Sequence, residues 1–360
     1  MQRAPHPTLP LYLAAAYTLL VIYASLHPFS GWRDSGAPAS AFLLAAWPRY
    51  WTGFDLVTNV IAYLPLGFIW VPTLQPRHGR LLAALLAAVL CACLSLSLET
   101  LQNFLPSRVP SNLDFGSNSL GGLLGAMAGA CWGTTLLDGG RLHALRTRLI
   151  GEGAMSDAGL VLLALWLLTQ LNPAILLFGN GDLRSLLGPL GLPVPLPYTA
   201  EQFPLVEAGV VATNTLAVGL LVGCLLRSAR RKLVALLLAV ALAVKSVSLM
   251  VLMDSISSWS WLTPGNVAGL AAGCLLWLGA SCLPGHARQA LAALSLMLAT
   301  VLVNLAPENP YFSAILQVWR QGHFLNFNGL TRLASVLWPF VALLWLMLRR
   351  ESKVNHEFRQ

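Results

Sequence analysis

Runs of roughly 20 predominantly apolar residues, the length that crosses about 30 Å of hydrocarbon at 1.5 Å per residue, recur from one end of this chain to the other. The pattern predicts an all-α fold: a polytopic transmembrane bundle of about ten helices, at about 11–27, 54–72, 81–105, 116–137, 158–172, 205–226, 232–253, 262–283, 287–305 and 332–349. Between the runs, polar residues are densest over Leu98–Gly125, LETLQNFLPSRVPSNLDFGSNSLGGLLG. This stretch places Glu99, Gln102, Arg108, Asp114 and Asn118 between two apolar segments. The first run, Leu11–Leu26, has neither a basic flank before it nor small residues at its end, and it reads as a retained helix rather than a cleaved signal.

Composition agrees with the pattern. With 56% hydrophobic and 10% charged residues, the chain is too apolar for a soluble domain, where about a quarter of residues are charged. The net charge of +8 does not point to nucleic acid, because the basic residues fall in short loops and at the tail. One side collects Arg3, Arg77, Arg80, Arg141, Arg146, Arg148, Arg227, Arg230, Arg231, Lys232, Arg288, Arg349, Arg350, Lys353 and Arg359; the other holds only Arg33, Arg49, Arg108, Arg184, Arg320 and Arg332. The asymmetry predicts both termini in the cytoplasm. Cys91, Cys93, Cys131, Cys224, Cys274 and Cys282 all lie in apolar runs and read as small hydrophobes, with no disulfide expected.

Three long external loops follow, at about 28–53, 173–204 and 306–331, with Trp32, Trp47, Tyr50, Trp51, Tyr198, Tyr311 and Trp319 suited to the headgroup layer. Segment 40–51 is too short to span. Asn118, Gly121 and Gly125 recur at the same spacing as Asn266, Gly269 and Gly273, and Asn59 in the second helix finds a counterpart in Asn214 of the sixth. These marks predict a four-helix unit used twice and then half again: 11–137, a degenerate second copy at 158–283, and a two-helix half unit at 287–349. Each copy re-enters the membrane in the same orientation, so the repeats are parallel. Chance recurrence of Asn and Gly in small-residue helices is the plainer alternative.

The candidate site comes from polar residues at one depth. Glu99 and Gln102 share a face near the external end of the third helix; a short Pro-restricted loop keeps Arg108 and Asp114 near it; Asn118 follows in the fourth helix; Asp55 and Asn59 share a face of the second. Asp114 also suits a helix N-cap, Asp55 a cap, Arg108 a solvated loop charge, and a membrane Asn commonly bonds between helices. Glu99 is the hardest to explain away, since an ionisable residue in a membrane helix faces a cavity or a partner. Lys245 lies mid-helix, and one expectation pairs it with Glu99; the other leaves it facing water in a cleft. No metal spacing, nucleophile elbow or cofactor motif is present, and the catalytic set, if there is one, is undefined.

The arrangement E-x-x-Q-x-F-x-P-x-R-x-x-S-x-x-D-x-x-x-N-x-x-G, here Glu99, Gln102, Phe104, Pro106, Arg108, Ser111, Asp114, Asn118 and Gly121, resembles the VanZ-like membrane domain, as do Asp55, Asn59, Pro65, Leu66 and Gly67. The resemblance covers about 11–137 and departs from many members in having Asn59 where they carry His. It implies a polytopic bacterial membrane protein of the plasma membrane, in a family named for a protein associated with teicoplanin resistance; it supplies no reaction. The leading expectation is a non-enzymatic protein whose external polar pocket binds an envelope lipid or lipoglycopeptide, with Arg108 on an anionic headgroup and Glu99, Gln102 and Asn118 on its polar part. An intramembrane enzyme using Glu99 as acid or base, and a transporter, are the alternatives. The expected partners are membrane lipids and an amphiphile, with no nucleic acid and no cofactor.

Overall fold

The computed structural model describes residues 8–34, 36, 38–47, 51–137, 139–150, 152–187, 201–227, 231–252, 258–306 and 325–357. These residues are helical, without strands, and eight of the helices are long and apolar enough to cross a membrane. The protein is a multi-pass membrane protein of the all-α class. Its contacts divide into two compact units, residues 1–148 with 152–157 and residues 149–151 with 158–360. The expected positions at Arg3, Arg49, Tyr50, Tyr198, Arg230, Tyr311, Trp319, Arg320 and Arg359 lie outside the described residues.

In the first unit α1 (Thr8–Leu26), α2 (Gly53–His78), α3 (Arg80–Gln102) and α4 (Asn112–Leu137) pack around α2, whose main partner is α4. The hydropathy pattern ends α2 near 72, but the helix runs on through Pro65, Pro72 and Pro76 to His78. Neighbouring helices tolerate the carbonyls that these prolines free. Pro72 cannot bond back to the Phe68 carbonyl, and that oxygen lies where a side chain on Gly129 would begin, at 2.6 Å. Gly79, at φ +74°, is the single residue that turns α2 into α3. Among the described residues of segment 40–51, Ala41–Leu44 form a tight turn, with Phe42 buried and Ala45 O accepting from Asn112 Nδ2. After α4 comes a basic helix that the apolar pattern does not reveal, α5 (Gly140–Leu149), tied by Arg146 to Asp157 at 2.6 Å.

The second unit holds most of α6 (Ala154–Thr169) and all of α7 (Phe203–Leu225), α8 (Arg231–Leu252), α9 (Pro264–Ala280), α10 (Gly285–Leu305) and α11 (Leu325–Glu357). Apolar on all sides, α7 is the most enclosed helix and packs against α9 and α10. The expectation that residues from 173 onward lie on the membrane surface fails for the first part of that loop. Leu177, Phe178, Asn180 and Gly181 are buried, with Phe178 against Trp166. The irregular backbone is satisfied from several helices: Asn304 Oδ1 accepts from Leu183 N, Asn304 Nδ2 donates to Gly181 O, and Ser248 Oγ donates to Leu171 O. Lys245 belongs to the same scaffold, since its Nζ donates to Asn172 O at 2.7 Å and Ile175 O at 2.8 Å.

Asp182 closes this segment. Burial works to raise its carboxyl, but three bonds from Arg184 and the charges of Arg184 and Arg332 outweigh it and hold the group below its ordinary 3.8. A depressed carboxylate contributes stability that is complete above its unfolded value and is lost as pH falls through its folded value. The stability difference between wild type and Asp182→Asn should therefore be constant near neutral pH and shrink only below 3.8, read as unfolding midpoints across an acid titration.

Candidate functional site

The loop between α3 and α4 is built by the residues that sequence reasoning singled out. Ser111 caps α4: its Oγ accepts from Leu113 N at 3.1 Å and Asp114 N at 3.4 Å. The helix therefore begins at Asn112, four residues earlier than the pattern suggests, and Asp114 sits in its first turn rather than at its cap. Glu99, 4% exposed, takes the Ser111 N–H on Oε2 at 2.9 Å, so the end of α3 holds the start of α4. Tyr63 of α2 lies beside Ser95 and within electrostatic reach of Glu99.

Gln102 and Arg108 face the other way, onto the end of α1. A helix terminus leaves its last carbonyls without partners. Gln102 Nε2 donates to Ser25 O at 2.9 Å, and Arg108 Nη2 donates to His27 O at 2.6 Å and Ala24 O at 3.2 Å. Burial pulls the Arg108 guanidinium below its ordinary value, while the Glu99 charge pushes it back up. The two residues expected to hold a headgroup are thus also what fastens α1 to the loop.

The remaining candidates separate into two places. Asp55 is exposed and completes a capping box on α2: its Oδ2 accepts from Thr52 N at 3.1 Å and Thr52 Oγ1 at 2.7 Å. Asn59 Nδ2 donates to Asp114 Oδ1 at 2.8 Å, joining the first turns of α2 and α4, and the Asp55 charge reaches Asp114. Asn118 lies deeper, its Nδ2 donating to Ser95 Oγ at 3.1 Å. Together the seven residues form a collar of bonded groups at one end of the unit, on the ends of α2, α3 and α4 and the loop before α4.

Sequence reasoning missed a groove in the same unit. Between α2 and α4 lies an open groove of about 390 Å³, lined by Leu56, Val57, Val60, Ile61, Asn112, Leu113, Leu120 and the small Gly116 and Ser117. The signal was available in the paired apolar positions 56, 57, 60 and 61 on one face of α2. An apolar furrow with an amide in its wall has the character of an amphiphile site.

Residues 11–133, about a third of the chain, match the family model described as VanZ/LLP1. No curated protein and no solved structure matches the chain.

Proposed function

Since the first unit of this membrane protein is a VanZ-like domain across residues 11–133, we propose that the unit binds a membrane amphiphile, its chain lying in the α2–α4 groove and its head over the collar. The groove carries the reading: it is apolar and open, Asn112 stands in its wall, and its lining residues Leu56 and Leu113 are the chain neighbours of Asp55 and Asp114. The Asp55 and Asp114 carboxylates are acceptors, which suits a head bearing hydrogen-bond donors such as amines or sugar hydroxyls. Arg108, engaged with α1, shapes the collar. The excess of Arg and Lys in the loops at the opposite end favours an outward-facing groove and both termini in the cytoplasm, as in the plasma membrane of a bacterium.

Val57 points into the groove and is exposed, so a larger side chain there can occupy it without disturbing the interior. Val57→Trp should weaken binding of a photoactivatable acyl amphiphile by about tenfold or more, with the unfolding midpoint unchanged. Equal labelling of wild type and variant would remove this reading. Turnover of a lipid-linked compound by purified protein, lost in Glu99→Gln, would replace it with an enzymatic one.

A further inference from the structure

Three buried polar side chains of the second unit line one small cavity of about 20 Å³. Glu207 on α7 is 2% exposed and accepts from Thr263 Oγ1 at 2.5 Å on its Oε2. Lys245 on α8 is 4% exposed, and the Asn172 and Ile175 carbonyls account for two of the three hydrogens on its Nζ. Asn266, in the first turn of α9 and 4% exposed, donates through Nδ2 to Trp261 O at 2.7 Å, while its Oδ1 has no partner among the described residues. Packing around the acid is tight: a side chain on Gly265 would begin 2.5 Å from Glu207 Oε2.

Each group leaves something unmet. The carbonyls bind the Lys245 ammonium but cancel none of its charge, and a buried ion without an opposite charge is costly. The acid that lines the same cavity is Glu207. Asn266 Oδ1 lacks a donor, and the Thr263 hydroxyl cannot supply one because its hydrogen goes to Glu207. A cavity holds a water when it offers about 10–15 Å³ and two to four polar partners, and this one offers both. A water here accepts from Nζ and donates its two hydrogens to the Glu207 carboxylate and to Asn266 Oδ1. A metal cation would find oxygen ligands in Asn266 Oδ1 and the Glu207 carboxylate but would face the Lys245 ammonium, which repels it.

We propose that this cavity is a built site for one water molecule that joins Lys245 to Glu207, so that the second unit carries its own buried, water-bridged acid–base pair. When a proton leaves Nζ for the water oxygen while a water proton passes to Glu207, the cavity's net charge does not change. The pair can therefore exchange a proton internally without exposing a charge to the bundle. The proposal is independent of the groove in the first unit.

A high-resolution cryo-electron microscopy map of the full chain in nanodiscs should show one water within hydrogen-bonding distance of Lys245 Nζ, a Glu207 carboxylate oxygen and Asn266 Oδ1. A dry cavity, or density of an ion in its place, overturns the proposal. In a double-mutant cycle, Lys245→Met and Glu207→Gln should each shift the equilibrium towards unfolding, and the double variant should fall short of the product of the single effects by about tenfold or more. Strictly independent effects also overturn it. If a variant does not accumulate, the wild-type map decides alone.

Discussion

Gly125→Ala should be among the most damaging single-methyl additions to this protein, lowering the unfolding midpoint of the purified chain by roughly 10 °C, the equivalent of about 3 kcal/mol. A Cβ at this position would lie 2.0 Å from Leu64 O and 2.9 Å from Leu64 C, so the obstacle is backbone that cannot rotate away. Only separation of α2 from α4 relieves it, and that pair is the principal contact of the first unit. Gly67→Ala, which meets Gly122 O at 2.1 Å from the opposite helix, should behave alike. Gly116→Ala lies on the same helix with nothing within 4 Å and should be neutral or slightly stabilising, since alanine suits a helix better than glycine. A Gly125→Ala protein as stable as Gly116→Ala would mean that α2 and α4 are not so close.

The stripe behind this prediction was legible in the sequence, and its partners were not. Spaced glycines on one helix face announce close approach to some neighbour. The structure identifies the neighbour: Gly121, Gly125 and Gly129 meet the carbonyls of Val60, Leu64 and Phe68, and Gly265, Gly269 and Gly273 meet those of Pro204, Ala208 and Ala212. All six pairs have the same sequence separation, which supports the four-helix repeat we propose for this chain. The shared register also changes its alignment, setting Asn59 opposite Glu207 instead of Asn214. At that position the second unit carries an acid where the first carries an amide.

Periodicity and length revealed the helices because hydrocarbon imposes both on any spanning segment. They were poor at endpoints such as His78 and Asn112, where prolines inside a helix and a serine cap compete with hydropathy. They were poorest at assigning polar partners. Sequence spacing put Glu99, Gln102 and Arg108 at one depth, but depth does not distinguish a ligand from the frayed end of a neighbouring helix. The same holds for Lys245, whose carbonyl partners lie 73 and 70 residues away along the chain.

Arg108→Ala is the test that separates these two uses of a membrane arginine. Among the described residues, the ties from α1 to the rest of its unit include Tyr17 Oη to Ala62 O, Trp70 Nε1 to Thr18 Oγ1, Gln102 Nε2 to Ser25 O, and the two bonds from Arg108 Nη2 to Ala24 O and His27 O. Only the last is charged, and hydrogen bonds to charged groups contribute about 1.5–3 kcal/mol each. Its removal also leaves Glu99 without a nearby positive charge and the α1 carbonyls without donors. The expected result is a loss of about 3 kcal/mol in stability, with faster proteolysis of the segment between α1 and α2, whether or not an amphiphile is present. Gln102→Ala, which forfeits one neutral bond, should cost about 1 kcal/mol. Arg108→Lys should fall between them, because an ammonium keeps the charge but not the planar fork. If Arg108→Ala instead leaves the midpoint unchanged and abolishes amphiphile binding, Arg108 acts on the headgroup, and the site moves from the α2–α4 groove to the end of α1.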